Sequence, residues 1–321
     1  MNLEKLNIIW NSFSENNRTS DFEYKLISTD TVPLLNIGIT LNSNRCLVLE
    51  IPMTSNFVFS EALKEHIELR YFKAENCLCI ILKDSIYNDL FDDFVLSMYF
   101  KIKNLEDPNE YCKLFVQYFY KWSSFFEKKH TSLLSKEVIQ GIFGELIFLK
   151  YLISNNTETP INQLLNTWTG LKGTSHDFIL ESIDYEVKTI LSHINHVKIS
   201  SEYQLDISKG KKLELVVVEV IEDNIDGKNI SLLVDELRNK VIELFGDYFN
   251  ILNSLNDKGL TLENLKLYDS WKYTLQRISF YDCTKSNFPK IIKSNLSEEL
   301  FNLKYSIRIS LIQEYLINEI V

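Results

Sequence analysis

The stretch HDFILESIDYEVKT, residues 176–189, constrains the fold more than any other part of the chain. Its two β-prone runs flank a short polar turn, which is the pattern of a β-hairpin. The runs carry Asp177, Glu186 and Lys188 where a strand that serves only for packing would hold Val or Ile. Any fold of this chain must therefore accommodate two carboxylates and an ammonium group on a largely apolar hairpin.

Strand geometry predicts where these three side chains point. Side chains alternate between the two faces of a strand, so Glu186 and Lys188 share a face. We place the turn at residues 182–183, which sets Asp177 opposite Lys188 and diagonal to Glu186 on that face. Two such carboxylates can be bridged by a hard cation that prefers oxygen ligands. The competing interpretation is an ion pair of Lys188 with one carboxylate at the edge of a sheet.

A fourth ionisable residue lies in a predicted helix over residues 135–152. A helical projection places Glu145 within the apolar arc, together with Val138. Burial of a lone carboxylate is costly, so Glu145 must be paired, protonated or bound to a metal. Gly141 and Gly144 precede it and would let the helix approach a sheet closely.

The remaining periodicity predicts a small α+β domain followed by an α/β core. Residues 135–246 read helix, strand, strand, strand, helix. The near-continuous apolar run KLELVVVEVIE is typical of a strand covered on both faces. We expect an N-terminal α+β domain over 1–104, a core over 105–250, and C-terminal strands and a helix over 251–321 that complete or flank the core. Further strands are predicted at 36–41, 46–51, 67–72, 77–82, 271–283 and 305–312, and helices after the N-cap residues Ser85 and Asp107.

Composition limits the possible partners. A net charge of −10 excludes a protein that coats nucleic acid indiscriminately, so binding would need a local basic patch. The best candidates for that patch are Lys198, Lys209, Lys211 and Lys212, although such a run is commonly a solvated loop. The chain lacks a long apolar run, which predicts a cytoplasmic protein with no membrane span. Five scattered cysteines are expected to be buried apolar thiols.

These residues together resemble the PD-(D/E)XK phosphodiesterase superfamily, which has the restriction-endonuclease-like fold. The similarity rests on Glu145 in GIFGELIFL, Asp177 in HDF, Glu186 and Lys188 in YEVKT, and Gln204 in ISSEYQL. The same run looks like a bacterial branch of the superfamily linked with restriction and phage-defence gene clusters. The chain departs from the usual motif at one position, because His176 stands where the superfamily carries Pro.

The resemblance implies a mixed sheet flanked by helices and a role for each motif residue. Asp177 and Glu186 would bind Mg²⁺ or Mn²⁺, and Lys188 would act on the attacking water. Glu145 would be an auxiliary metal ligand or a water-positioning group. Gln204 has two interpretations: a residue near the metal or substrate, or the N3 residue of a capping box that begins at Ser201.

The resulting hypothesis is a metal-dependent nuclease that acts on DNA in a bacterial restriction or anti-phage system. Other proteins of such a system are possible partners, and a homodimer would supply the two sites needed to cut both strands. Two alternatives remain: a nucleic-acid-binding or scaffold subunit of a defence complex, and an RNase that uses the same site.

Overall fold

The structure, a computed structural model, describes residues 1–13, 22–29, 32–52, 57–127, 133–169 and 175–321. The chain forms two compact units, Met1–His130 with Ile242–Phe249, and Thr131–Val241 with Asn250–Val321. Residues 105–130, which were expected to open the core, lie in the first unit, and residues 251–321 lie with the core that they were expected to complete or flank. In the part of the chain that is described, no helix has the length and apolar character needed to cross a bilayer.

The first unit contains an antiparallel sheet and three helices in its described part. The sheet has six strands in the order β1-β2-β3-β6-β5-β4. All six residues of the CLCIIL strand are buried, and so are all five cysteines of the chain, as expected. The elements in chain order are α1 (Leu3–Asn11), β1 (Phe22–Leu26), β2 (Leu35–Thr40), β3 (Arg45–Glu50), β4 (Ala62–Leu63), β5 (Ile67–Phe72), β6 (Cys77–Leu82), α2 (Asn88–Ile102) and α3 (Pro108–Ser123).

Local capping chemistry sets where α2 and α3 begin. Asp107 caps α3 as predicted, since its Oδ1 accepts from the Asn109 N–H at 3.0 Å. The predicted N-cap at Ser85 is wrong. Asp84 accepts from the Ile86 N–H at 3.1 Å and opens a single 3₁₀ turn, after which α2 begins at Asn88.

The second unit is built on a mixed five-stranded sheet in the order β13-β11-β10-β8-β7. Strands β8 and β10 are parallel and the other neighbours are antiparallel, which confirms the predicted α/β fold with a mixed sheet. Strands β9 and β12 pair separately as a ribbon. The elements are α4 (Lys136–Asn155), α5 (Ile161–Leu165), β7 (Phe178–Ile179), β8 (Ile183–Leu191), β9 (His196–Ile199), β10 (Lys212–Glu222), α6 (Ile230–Glu243), α7 (Phe249–Asp257), β11 (Tyr273–Asp282), β12 (Tyr305–Arg308) and β13 (Leu316–Ile320).

The two faces of strand β8 meet different layers. On one face, Thr189 lies directly against Gly144 of α4. On the other face, Glu186 and Lys188 are in register with Leu215 and Val217 of β10, which belong to a core cluster shared with the β9–β12 ribbon. Residues in register on neighbouring strands share a face, so the Glu186 and Lys188 side chains project from the face of the sheet opposite α4.

The hairpin turn lies one residue earlier than predicted. The Leu180 N–H donates to the Ile183 carbonyl at 3.0 Å, so residues 181–182 form a two-residue loop. Phe178 pairs with Tyr185, and extending this register by one pair sets Asp177 opposite Glu186 rather than Lys188. Because the loop still has an even number of residues, Asp177, Glu186 and Lys188 fall on one face of the hairpin, as predicted.

The buried arc of α4 is also rotated from the expected one. Val138 is 44% exposed, whereas Ile139 is fully buried and Glu145 is buried as predicted. A Cβ on Gly144 would lie 1.8 Å from the Thr189 Oγ1, while a Cβ on Gly141 would meet no atom within 4 Å. Close approach of helix and sheet therefore depends on Gly144 alone of the two glycines.

The Gly144→Ala substitution should destabilise the protein by about 1–3 kcal/mol, because the added methyl overlaps a β-branched side chain on a central strand. The matched control is Gly141→Ala, which should be neutral or stabilising by about 0.5–1 kcal/mol, since alanine favours a helix more than glycine does. Urea unfolding of both variants measures the difference. Equal effects at the two positions would show that α4 does not pack on β8 in this way.

Candidate active site

Lys188 and Glu186 form an ion pair on the central part of strand β8. The Lys188 Nζ donates to the Glu186 Oε1 at 2.5 Å. The Glu186 side chain is 1% exposed and that of Lys188 is 17% exposed. This burial follows from the sheet order, because β8 lies between β7 and β10. The pair is therefore enclosed in the fold and not a solvated surface contact.

Asp177 directly precedes strand β7, opposite Glu186 in the extended register of the hairpin. Its Oδ2 accepts from the backbone N–H of Val187 at 2.9 Å, and its carbonyl accepts from the Thr169 N–H at 3.0 Å. The Asp177 carboxylate is close enough to raise the pKa of both Glu186 and Glu145. The structure thus brings four of the five motif residues, all but Gln204, within electrostatic reach of one another.

Glu145 is held by two side chains that donate to its carboxylate. The Trp168 Nε1–H donates to the Oε2 at 2.7 Å. The Lys258 Nζ lies 3.0 Å from the Oε1 and 2.9 Å from the Oε2. Lys258 lies 113 residues away from Glu145 and within no motif, so the sequence did not indicate it.

Burial and carboxylate repulsion dominate the electrostatics of the cluster. Burial, followed by repulsion from Asp177, raises the pKa of Glu145 to about 7 and that of Glu186 well above its usual value. Burial alone would lower the pKa of Lys188, but the attraction of Glu186 and Asp177 outweighs it and the net shift is upward. Lys188 therefore remains an ammonium group at neutral pH. Three carboxylates face two ammonium groups, which leaves an excess of negative charge.

The donor set suits a hard divalent cation held by two carboxylates. Within the described ranges, no group of three His, Cys, Asp or Glu side chains is arranged to hold a metal. Lys258 and Trp168 engage Glu145, which was predicted to be a ligand. In the same part of the chain, no hydrogen bond or ion pair engages the Asp177 Oδ1 or the Glu186 Oε2. Mg²⁺ commonly binds through one or two carboxylates and completes its shell with water and phosphate oxygens.

Gln204 makes a local contact in the structure. Residues 201–205 form a turn and not a helix. The Gln204 Oε1 accepts from the Ser200 N–H at 2.6 Å, and the Ser201 Oγ accepts from the Tyr203 N–H at 3.4 Å. Of the two interpretations of Gln204, these contacts favour the capping role, although the capped segment is a turn.

The predicted basic patch separates into two groups. The Lys211 Nζ donates to the Leu180 carbonyl at 2.6 Å and to the Asp184 Oδ1 at 3.0 Å, so this lysine ties its loop to the hairpin. His176 contacts the same carboxylate, with its Nδ1 3.4 Å from the Asp184 Oδ2. The other three lysines of the predicted patch, Lys198, Lys209 and Lys212, are exposed to solvent.

Comparison with known proteins identifies the class to which this fold and site belong. The family described as "Putative PD-(D/E)XK family member" (DUF4420) matches residues 6–310. The chain therefore belongs to this PD-(D/E)XK family, which confirms the resemblance seen in the sequence. Members of the superfamily are generally nucleases and typically use divalent metals. The searches of curated proteins and of solved structures found no match.

Proposed function

We propose that this protein is a nuclease that hydrolyses phosphodiester bonds of DNA with Mg²⁺ or Mn²⁺. The observation that carries the proposal is the interaction of the buried Glu186 with the partly buried Asp177 and Lys188 in a chain of the PD-(D/E)XK family. Two carboxylates and an ammonium group are the functional groups that metal-assisted phosphodiester hydrolysis requires.

Each residue has a distinct role in the proposed reaction. Asp177 and Glu186 would hold the divalent ion, which when bound neutralises charge on the phosphate and makes a water molecule more acidic. The Val187 N–H fixes the Asp177 carboxylate in its orientation. Lys188, held by Glu186, donates hydrogen bonds to the attacking water or to the phosphate and opposes the negative charge that develops in the transition state.

Glu145 would support the reaction from beside the metal site. Two roles follow from the resemblance, an auxiliary ligand and a water-positioning group. Both of its oxygens are already engaged by Lys258 and Trp168, which favours the second role.

The substrate would be held by the exposed lysines Lys198, Lys209 and Lys212. Ammonium groups that contact phosphates release counterions, and this provides affinity even in a protein with a net charge of −10. The proposal extends to a cytoplasmic role in bacterial restriction or anti-phage defence, with other defence proteins as partners and a homodimer for cutting both strands.

Replacement of Lys188 by Met should lower DNA cleavage by about 100-fold to 1,000-fold, the usual cost of removing a group that stabilises transition-state charge. The assay compares linear duplex, supercoiled and single-stranded DNA with RNA, in the presence of Mg²⁺ or Mn²⁺ and after chelation. The control is Lys150→Met, which removes a half-exposed lysine paired with Glu236 in the same unit.

Unchanged cleavage by the Lys188 variant would refute the site. Cleavage of RNA alone would make the protein an RNase. DNA binding without metal-dependent cleavage by the unaltered protein would support the scaffold alternative.

Substitution of Lys198, Lys209 and Lys212 by Glu should weaken DNA binding and reduce the magnitude of the salt dependence of the affinity, by about 0.9 per lost phosphate contact. Fluorescence anisotropy at several salt concentrations, with Ca²⁺ in place of Mg²⁺, measures both quantities. The matched control replaces the exposed lysines Lys73, Lys101 and Lys113 of the first unit. An equal loss in both triple variants would indicate an effect of net charge alone and not a binding surface.

A further inference from the structure

Lys258 is an ionisable residue of the site that no sequence motif contains. Its ammonium contacts both oxygens of Glu145, at 3.0 and 2.9 Å. The two side chains are only 7% and 10% exposed. A buried ion pair of this kind is costly to form unless its geometry is good and its remaining polar groups are satisfied, and Trp168 meets part of that need.

The backbone around Lys258 fixes the position of its ammonium. Lys258 directly follows α7, and Gly259 adopts a left-handed conformation with φ +81°. The Leu260 N–H donates back to the Leu255 carbonyl at 2.9 Å, which is the closing bond of a Schellman motif. The Asn264 Nδ2 donates to the Gly259 carbonyl at 2.9 Å and braces this turn.

Helix α7 is also joined to the second donor of Glu145. The Ser254 Oγ donates to the Trp168 carbonyl at 3.4 Å, and both residues are buried. The Lys258 ammonium lies 6.0 Å from the centre of the Trp168 ring. Lys258 and Trp168 therefore form one connected support for the Glu145 carboxylate, which lies beside Asp177.

The position of this ammonium bears on how many metal ions the site can take. Carboxylates that share a site with Asp177 could bind one ion or two. A second ion would need Glu145 as a ligand, because Lys188 already engages Glu186 and the free oxygens of Asp177 and Glu186 serve the first ion. Lys258 contacts both Glu145 oxygens, so a cation is already present where the second ion would have to bind.

We propose that Lys258 takes the place of a second metal ion, so that the site binds one divalent ion through Asp177 and Glu186 while Glu145 is the counter-ion of Lys258. The inference rests on the proposed metal site of the nuclease. It adds a positioning residue and a metal stoichiometry that neither the family match nor the motif provides.

Calorimetric titration of the full chain with Mn²⁺ tests the stoichiometry directly. The unaltered protein should bind one Mn²⁺ per chain, and Asp177→Asn should abolish that binding. The double variant Glu145→Gln with Lys258→Met removes one negative and one positive charge together. It should keep one Mn²⁺ with an affinity within about threefold of the unaltered protein, whereas loss of even an outer-shell partner costs about 10-fold to 100-fold.

The single variant Lys258→Met tests whether loss of the ammonium group allows a second metal ion to bind. It frees the Glu145 carboxylate while leaving it buried, and it should bind a second, weaker Mn²⁺ that the double variant does not bind. Thermal unfolding of the double variant should match that of the unaltered protein, because neither partner of the pair is left unpaired.

Three outcomes would overturn the inference: two ions in the unaltered protein, a loss of affinity of about tenfold or more in the double variant, or one ion in Lys258→Met. One further outcome would refute the proposed nuclease function and leave the metal stoichiometry intact. A protein that binds one Mn²⁺ and keeps it in the double variant, but cleaves no polymer, would retain the inference and lose the nuclease. A protein that binds no Mn²⁺ would lose both.

Discussion

An excess of carboxylate charge at the β7–β8 hairpin, close to Glu145 of α4, limits how the second unit can be built. Glu145, Asp177 and Glu186 repel one another where burial weakens screening by water, and Lys188 and Lys258 offset only part of that repulsion. A proton or a further cation must supply the remainder. The raised pKa values of Glu145 and Glu186 correspond to neutralisation by a proton. A bound divalent ion would neutralise the same charge without a proton.

Several features of the fold serve this cluster. Gly144 lets α4 lie against strand β8, and the left-handed turn at Gly259 holds Lys258 at the end of α7. The parallel pairing of β8 with β10 encloses Glu186 in the sheet. A chemical site with so many charged groups is stable only because each of these supports is itself fixed by packing or by backbone hydrogen bonds.

Several strands and one helix start that depend on neighbouring residues in the sequence were predicted correctly. Strand periodicity placed β5, β6 and β10, and the Asp107–Pro108 pair placed the start of α3. The even hairpin loop was also predictable, but its register was not, because two neighbouring residue pairs could form the turn and only packing of the flanking strands selects one. The exposure of Val138 has the same cause, since the sheet decides which side of α4 is buried.

Contacts between distant residues were not accessible to sequence reasoning. Lys258 lies in no motif, and the helix expected within residues 251–321 was given no bounds, so α7 could not be linked to the site. The indole N–H of Trp168 donates to Glu145, a contact that no sequence pattern indicates. The extent of the first unit has no clear signal in the sequence, because glycine and proline are scarce and α3 follows α2 without a compositional break. Function was predictable to the level of the superfamily because its motif residues are concentrated in one helix and one hairpin.

We infer that Asp177 and Glu186 form a metal site that holds a single ion. Anomalous diffraction from crystals soaked in Mn²⁺ tests it most directly. We expect one anomalous peak per chain, within bonding distance of the Asp177 and Glu186 oxygens, with the Lys258 ammonium still on Glu145. A peak on Glu145, a second peak in the cluster, or no peak beside Asp177 would refute the single-ion site.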